Sequence, residues 1–162
     1  MARFSIFIPA YNSEALLPLT LRSALAQTIP DTEIIVINDG STDGTEAVAR
    51  AFEGVRVTTQ PNGGVAAASN AGLAQAAGEF VLFLDHDDLL EPDAIAHHLA
   101  AFEARPEAEM VFGSNRLISE TGASLGENLQ RPRVFSGRDV AMGTTPSFSQ
   151  AMYRRAALER IG

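Results

Sequence analysis

Short apolar segments alternate with segments of helical spacing along the first two thirds of the chain. The apolar segments are rich in β-branched and aromatic residues and are apolar on both faces, which is typical of strands buried inside a parallel sheet. We predict strands over Phe4–Ile8, Glu33–Ile37, Val55–Thr59, Phe80–Leu84 and Met110–Phe112.

The segments between these strands place apolar side chains on one face of a helix, as Leu17, Leu21 and Leu25 do. A repeated strand–helix order predicts an α/β fold with a Rossmann-like, mostly parallel sheet and helices on both faces. Ser13 is a candidate cap of the first helix and Asp43 or Ser41 of the second, and Pro92 suits a first helical turn. The predicted helices are Ser13–Ala26, Thr45–Phe52, Val65–Ala77 and Pro92–Ala104.

The regular alternation ends at Gly113. Residues 114–150 are rich in Gly, Ser, Thr, Pro and Arg, which indicates loops with short strands, and a last helix is predicted over Arg154–Ile161. We therefore divide the chain into an α/β core, residues 1–113, and a second region, residues 114–162.

Composition and charge exclude several classes of function. With 162 residues, 46% hydrophobic and 20% charged, the chain has the composition of an ordinary globular protein, and no apolar stretch is long enough for a membrane span. A net charge of −8 argues against nucleic acid as a partner. The absence of cysteine excludes disulfides, thiolate metal sites and cysteine nucleophiles.

Polar residues collect after the first four predicted strands, at the edge where open α/β sheets bind ligands. The strongest signal is Asp85-His86-Asp87-Asp88. On an extended chain Asp85 and Asp87 point the same way, and carboxylates this close suit Mg²⁺ or Mn²⁺ bridged to phosphate oxygens. The alternative is a solvated turn in which Asp88 caps the next helix.

Two further turns follow the second and third strands. Asp39 is nearest the end of its strand, where a carboxylate can accept a hydrogen bond from a base or a ribose. Asn62-Gly63-Gly64 precedes a helix, so its N–H groups could meet an anion, although a plain turn is the simpler interpretation. His97 and His98 have no metal-ligand partners nearby in the sequence and are interpreted as surface or core residues.

Taken together, these motifs resemble the family-2 glycosyltransferases, which have the GT-A fold and use nucleotide-diphosphate sugars. The order and the spacing both match from Phe4 to Phe112. The matching segments run from Ile6 to Asn12, from Ile35 to Gly44, from Asn62 to Gly72 and from Phe83 to Asp88, with Pro92-Asp93.

The resemblance implies roles for individual residues. Asp39 would read the base, usually uracil. Asp85 and Asp87 would be the outer positions of the DxD motif, with Asp87 ligating Mn²⁺ or Mg²⁺ and Asp85 near the ribose and the metal. The other residues implied in binding the nucleotide sugar are Pro9, Ala10, Tyr11, Asn12, Glu14, Gly64, Asn70 and His86.

The resemblance also implies an activity: metal-dependent, inverting transfer of a sugar from a nucleotide-diphosphate donor, with UDP expected, to a saccharide or lipid-linked acceptor. Bacterial members commonly build envelope polysaccharide, which implies cytoplasmic action at the inner face of the membrane, and a homo-oligomer is a further expectation. Two alternatives stay open at this point, a non-catalytic nucleotide-sugar-binding module and a sugar-phosphate nucleotidyltransferase.

The sequence departs from the family pattern at two places. Ser69 stands where the family commonly has arginine, which removes a cation expected near the nucleotide and leaves the donor open. The segment from Met152 to Gly162 resembles the one that leads into the acceptor-side motifs, so the catalytic base is expected beyond Gly162. Residues 1–113 would then be the donor-binding core, and residues 114–162 the start of a truncated acceptor-side region.

Overall fold

A computed structural model describes residues 3–119, 121–129 and 151–161. The helices are α1 (Leu17–Leu25), α2 (Thr45–Arg50), α3 (Gly64–Gln75), α4 (Ala94–Ala104) and α5 (Arg155–Ile161). The strands are β1 (Phe4–Ala10), β2 (Thr32–Asp39), β3 (Val55–Gln60), β4 (Phe80–Phe83), β5 (Met110–Val111), β6 (Asn115–Ile118), β7 (Ser124–Asn128) and β8 (Met152–Arg154).

Six strands form one sheet in the order β3-β2-β1-β4-β8-β5. The four strands β3, β2, β1 and β4 are parallel, whereas β8 runs antiparallel to both β4 and β5. The predicted α/β fold with a mostly parallel sheet is confirmed. Because β1 to β4 point the same way, their carboxyl ends meet at one edge, and the candidate site lies there.

Helices cover both faces of the sheet. On one face α1, α2 and α4 pack over a cluster that includes Ile6, Ile8 and Val36, all fully buried. On the other face α3 lies directly on β1. The two elements are so close at Gly72 that a Cβ atom there would come within 2.6 Å of the Phe7 ring. The strand segments are apolar on both faces because both faces are covered.

Most predicted elements shift by one to four residues at their ends, and three of the helices begin later than predicted. The chain forms β8 before the last helix, which therefore begins at Arg155. This strand depends on tertiary contacts, since the Arg154 guanidinium packs on the rings of Phe80 and Phe102 and its Nε donates to the Ala108 carbonyl at 3.0 Å. Helix α4 begins two residues after Pro92.

The first helix also begins later than predicted, at Leu17. The side chain of Ser13 does not cap it, since its hydroxyl has no hydrogen-bond partner among the described residues, and the Ser13 carbonyl instead accepts from the N–H groups of Leu16 and Leu17. Asp43 does act near the start of α2, where its Oδ1 accepts from the Thr45 N–H at 3.0 Å.

The second region begins with the expected short strands. β6 and β7 pair as an antiparallel hairpin, and the rest of the predicted loop, residues 130–150, lies outside the described residues. Across the described ranges, no helix combines the length and the apolar character that a bilayer crossing requires.

Candidate functional site

A cavity of about 360 Å³ opens at the carboxyl ends of β1, β2 and β4, beside the first turn of α3. It brings together polar groups that are far apart in the sequence, as expected for the ligand edge of an open α/β sheet. Its lining consists of Pro9, Ala10, Tyr11, Asp39, Asn62, Gly64, Val65, Ala68, Asp85, His86 and Asp87.

Asp39, the last residue of β2, is surrounded by hydrogen-bond donors. It is only 3% exposed. Its Oδ1 accepts from Gln60 Nε2 at 2.7 Å and from the Gly63 N–H at 2.9 Å, and its Oδ2 accepts from the Gly64 N–H at 2.8 Å. These bonds, led by that of Gly63, outweigh the effect of burial and lower the pKa of Asp39 below 3.8. Asp39 is thus a fixed, ionised acceptor.

The turn before α3 is explained by the same contacts. The Gly63 and Gly64 N–H groups donate to Asp39, so the plain-turn interpretation of this segment accounts for them without an anion. Gly64 has a φ of +82°, a conformation that glycine adopts without strain. The β2 carboxylate therefore takes the position at the start of this helix that an anionic ligand often occupies.

The acidic turn, Asp85–Asp88, faces the cavity from the opposite side. Its backbone is closed by a bond from the Asp88 N–H to the Asp85 carbonyl at 3.1 Å. Its three carboxylates accept no hydrogen bond from the described residues, and the Asp87 side chain is 55% exposed. Partial burial raises the pKa of Asp85 above 3.8, and the charges of Asp88 and Asp87 raise it further.

His86 lies between Asp85 and Asp87 in this turn. Its Nδ1 is buried, has no hydrogen-bond partner in the described part of the chain, and is 3.9 Å from Asp87 Oδ1. That distance is too long for a hydrogen bond. The ring is therefore part of the cavity wall with an unused polar atom.

The donor set at the acidic turn fits a divalent cation that is shared with a ligand. Within the described ranges, no group of three or more metal-ligating side chains is arranged to bind a metal by itself. Mg²⁺ is commonly bound by one or two carboxylates together with substrate phosphates, and carboxylate oxygens suit Mn²⁺ as well. Asp85 and Asp87, with their unbonded oxygens, match such a shared site.

The end of β1 contributes to the site in two ways. Pro9, Ala10 and Tyr11 line the cavity directly. Asn12 and Glu14 instead join the loops after β1 and β2, since Asn12 Oδ1 accepts from the Thr42 N–H at 2.8 Å and Glu14 Oε2 accepts from the Gly44 N–H at 2.6 Å.

Three of the residues that the resemblance suggested do not line the cavity, namely Asn12, Glu14 and Asn70. Residues that the sequence analysis did not single out take part instead. Val65, although apolar, is 68% exposed beside the cavity, and Gln60 donates to Asp39. Gln60 could have been found from its place at the end of the third strand, where it pairs in register with Asp39.

Comparison with known proteins decides the family. The sequence model described as "Glycosyl transferase family 2" matches residues 5–162. The chain belongs to this family. Chondroitin synthase of Pasteurella multocida (strain Pm70) is 39% identical over 132 residues, a match that covers 79% of this chain and 14% of the synthase.

Solved structures of other glycosyltransferases share the fold. The crystal structure of S. aureus TarS 1-349 superposes with a TM-score of 0.78 at 28% identity, covering 99% of this chain and 49% of that one. The same protein in complex with UDP-GlcNAc gives a TM-score of 0.76 at 27% identity, covering 99% and 47%. The expected GT-A fold is confirmed. The chain spans about half of the TarS chain and a smaller share of the synthase.

Proposed function

We propose that this chain is the donor-binding part of a glycosyltransferase that uses a UDP-sugar together with Mn²⁺ or Mg²⁺. The observation that carries the proposal is the pairing of two unlike carboxylate sites in one cavity, Asp39 on one side and the acidic turn on the other. The likeness to TarS, which was crystallised with UDP-GlcNAc, supports a nucleotide-sugar ligand. Family membership favours this function over that of a nucleotidyltransferase.

The bonding of Asp39 supports uracil as the base. An ionised carboxylate has about four acceptor positions. Three are taken by Gln60, Gly63 and Gly64, which leaves one on Oδ2. Uracil offers one N–H donor between two carbonyls, whereas guanine offers donors on two adjacent nitrogens. A single open acceptor that is fixed in place matches the uracil edge better, and we propose that Tyr11 and Val65 contact the face of the base.

The diphosphate is assigned to the other side of the cavity. Asp85 and Asp87 are the residues proposed to bind the metal, which supplies a positive charge for the leaving diphosphate when it is bound. Binding also relieves the repulsion between these carboxylates, because an opposite charge favours their ionised forms. His86, on the same wall, is proposed to contact the donor.

The proposed reaction is an inverting transfer. An acceptor oxygen forms a bond to the anomeric carbon, the bond from that carbon to the diphosphate oxygen breaks, and the acceptor proton passes to a general base. This chain's residues orient the donor for attack, and no described residue is assigned as the base, which we propose lies beyond Gly162. The similarity to a chondroitin synthase supports a saccharide acceptor. Action at the inner face of the membrane stays a prediction.

Calorimetric titration of UDP tests the proposal, first with Mn²⁺ and then with EDTA. We expect UDP to bind much more tightly with Mn²⁺ than with EDTA, and GDP to bind more weakly than UDP. Asp87→Asn removes a proposed ligand and should abolish the effect of Mn²⁺, whereas Asp31→Asn is the control. Asp31 lies before β2 at the opposite edge of the sheet with a φ of 62°, a conformation that asparagine tolerates. Equal UDP affinity with Mn²⁺ and with EDTA would contradict the proposal.

A further inference from the structure

A polar stripe on α1 and the residues after it faces the segment that follows β4. The stripe consists of Thr20, Ser23 and Gln27, whose spacing of three and then four residues places them on one side of the helix. The neighbours of Thr20 on the same helix, Leu17 and Leu21, belong to the core. Thr20 is itself fully buried, so its hydroxyl requires a partner inside the protein.

That partner is the backbone of the acidic turn. Thr20 Oγ1 donates to the carbonyl of His86 at 2.7 Å. A threonine inside a helix more often bonds a carbonyl of its own helix one turn earlier, so this bond is a tertiary contact rather than a helical one. It fixes the peptide bond that joins His86 to Asp87, which lies between the two carboxylates that line the cavity, Asp85 and Asp87.

The rest of the stripe fixes the segment downstream of the acidic turn. Ser23 Oγ accepts from the Leu90 N–H at 3.1 Å. Gln27 uses both ends of its amide, since Nε2 donates to the Glu91 carbonyl at 2.9 Å and Oε1 accepts from the Ile95 N–H at 3.1 Å. Every one of these bonds ends on a backbone atom of the segment that follows the acidic turn. The stripe therefore fixes the backbone path of that segment independently of the segment's own side chains.

The side chains of the acidic turn gain nothing from these bonds directly. The charges of Asp87 and Asp88 repel that of Asp85, and no described residue donates a hydrogen bond to any of the three carboxylates, so no side-chain hydrogen bond within the described ranges aligns Asp85 and Asp87 toward a common point. Groups behind a set of ligands can fix its geometry in advance, and loss of such a group typically weakens metal binding by about 10–100-fold.

We propose that Thr20 is a positioning residue for the acidic turn, and that its hydroxyl aligns Asp85 and Asp87 for one cation and the diphosphate bound to it. Ser23 and Gln27 extend the same support along the segment. This inference rests on the proposed function, because it concerns how the proposed metal ligands are oriented.

The test compares Thr20→Val with Thr20→Ser in the full 162-residue chain. Valine has nearly the same shape as threonine but no donor, and serine keeps the donor. Thr32→Val is the matched control, since Thr32 Oγ1 also donates to a backbone carbonyl, that of Ile29 at 3.3 Å, at the far edge of the sheet. The measurement is the affinity for UDP in Mn²⁺ and in EDTA, with thermal unfolding of each variant.

We expect Thr20→Val to weaken UDP binding in Mn²⁺ about tenfold. The UDP affinity of Thr20→Ser in Mn²⁺ should stay within about twofold of that of the unchanged chain. The UDP affinity of Thr32→Val should equal that of the unchanged chain. Binding in EDTA should be the same in all four proteins. If Thr20→Val does not fold, Ser23→Ala takes its place, with an expected loss of about threefold because its bond lies further from the acidic turn.

Three results would overturn the inference. Thr20→Val could bind UDP in Mn²⁺ as well as the unchanged chain does, Thr20→Ser could be as weak as Thr20→Val, or Thr20→Val could weaken binding in EDTA by the same factor. A failure of the proposed function gives a different result, because then the unchanged chain itself shows no effect of Mn²⁺.

Discussion

The two sides of the cavity place their carboxylates in opposite environments. Asp39 is buried and accepts three hydrogen bonds, and its pKa is lowered. Asp85 accepts none from the described residues, lies beside two further carboxylates, and has a raised pKa. Folding gives Asp39 its hydrogen-bond partners, whereas the part of the chain that the structure describes supplies none for Asp85. We propose that the first side recognises the ligand and that the second is completed by a cation.

The largest effect is expected from the substitution of Asp39, the carboxylate that accepts three hydrogen bonds within the protein. Asp39→Ala removes a buried, ionised carboxylate together with the three hydrogen bonds that it accepts from Gln60, Gly63 and Gly64, so it should lower the free energy of unfolding by about 3 kcal/mol. Urea unfolding of the metal-free chain measures this loss. A change under about 0.5 kcal/mol, the usual range for surface substitutions, would contradict the view that Asp39 is integral to the fold.

The opposite result is expected on the other side of the cavity. Asp85→Asn removes one of three repelling charges without breaking a hydrogen bond, so the stability of the metal-free chain should stay within about 0.5 kcal/mol or rise. The same variant should lose most of the rise in melting temperature that Mn²⁺ and UDP together produce. Thermal unfolding with and without these ligands checks both statements, and Asp31→Asn is the control. A metal-free Asp85→Asn chain as unstable as Asp39→Ala would remove the distinction between the two sides.

The two carboxylates also predict opposite dependences on pH. The stabilisation from Asp39 is present above its unfolded pKa, near 3.8, and is lost as the pH falls through its lower folded value. The raised pKa of Asp85 has the reverse sign, since its penalty is absent below 3.8 and is complete above its folded pKa.

Unfolding measured against pH in the chain and in Asp85→Asn separates the two effects. The difference in stability between these proteins should grow in favour of Asp85→Asn as the pH rises from 3.8, and Mn²⁺ with UDP should reverse it. A difference that is constant with pH would show that Asp85 titrates as an isolated surface carboxylate does.

The smallest effect is expected at Glu14, which the resemblance places in the nucleotide pocket and the structure places between two loops. Glu14→Gln keeps an oxygen that can accept from the Gly44 N–H, so UDP affinity should change by less than about twofold. A loss of tenfold or more in calorimetry would mean that the carboxylate contacts the ligand after all.

The sequence predicted the parallel strands, the five described helices with shifted bounds, and the edge that carries the candidate site, because buried strands have a strong apolar pattern and strand ends are marked by polar turns. It missed β8, whose three residues Met152–Arg154 are a strand only because β4 and β5 lie on either side. It also missed the partners of Asp39 and the bond from Thr20 to His86, since these join residues 21 to 66 positions apart. Such pairs follow from packing, which local patterns do not encode.

The most direct test of the contrast is carboxylate NMR of the aspartate side chains during titration with Mg²⁺, followed by UDP. We predict that Mg²⁺ and UDP together shift the Asp85 and Asp87 carboxyl signals and lower the pKa of Asp85, and that Asp39 responds to UDP but not to Mg²⁺ alone. Unchanged Asp85 and Asp87 signals at saturating UDP and Mg²⁺, or an Asp39 signal that moves with Mg²⁺ alone, would contradict it.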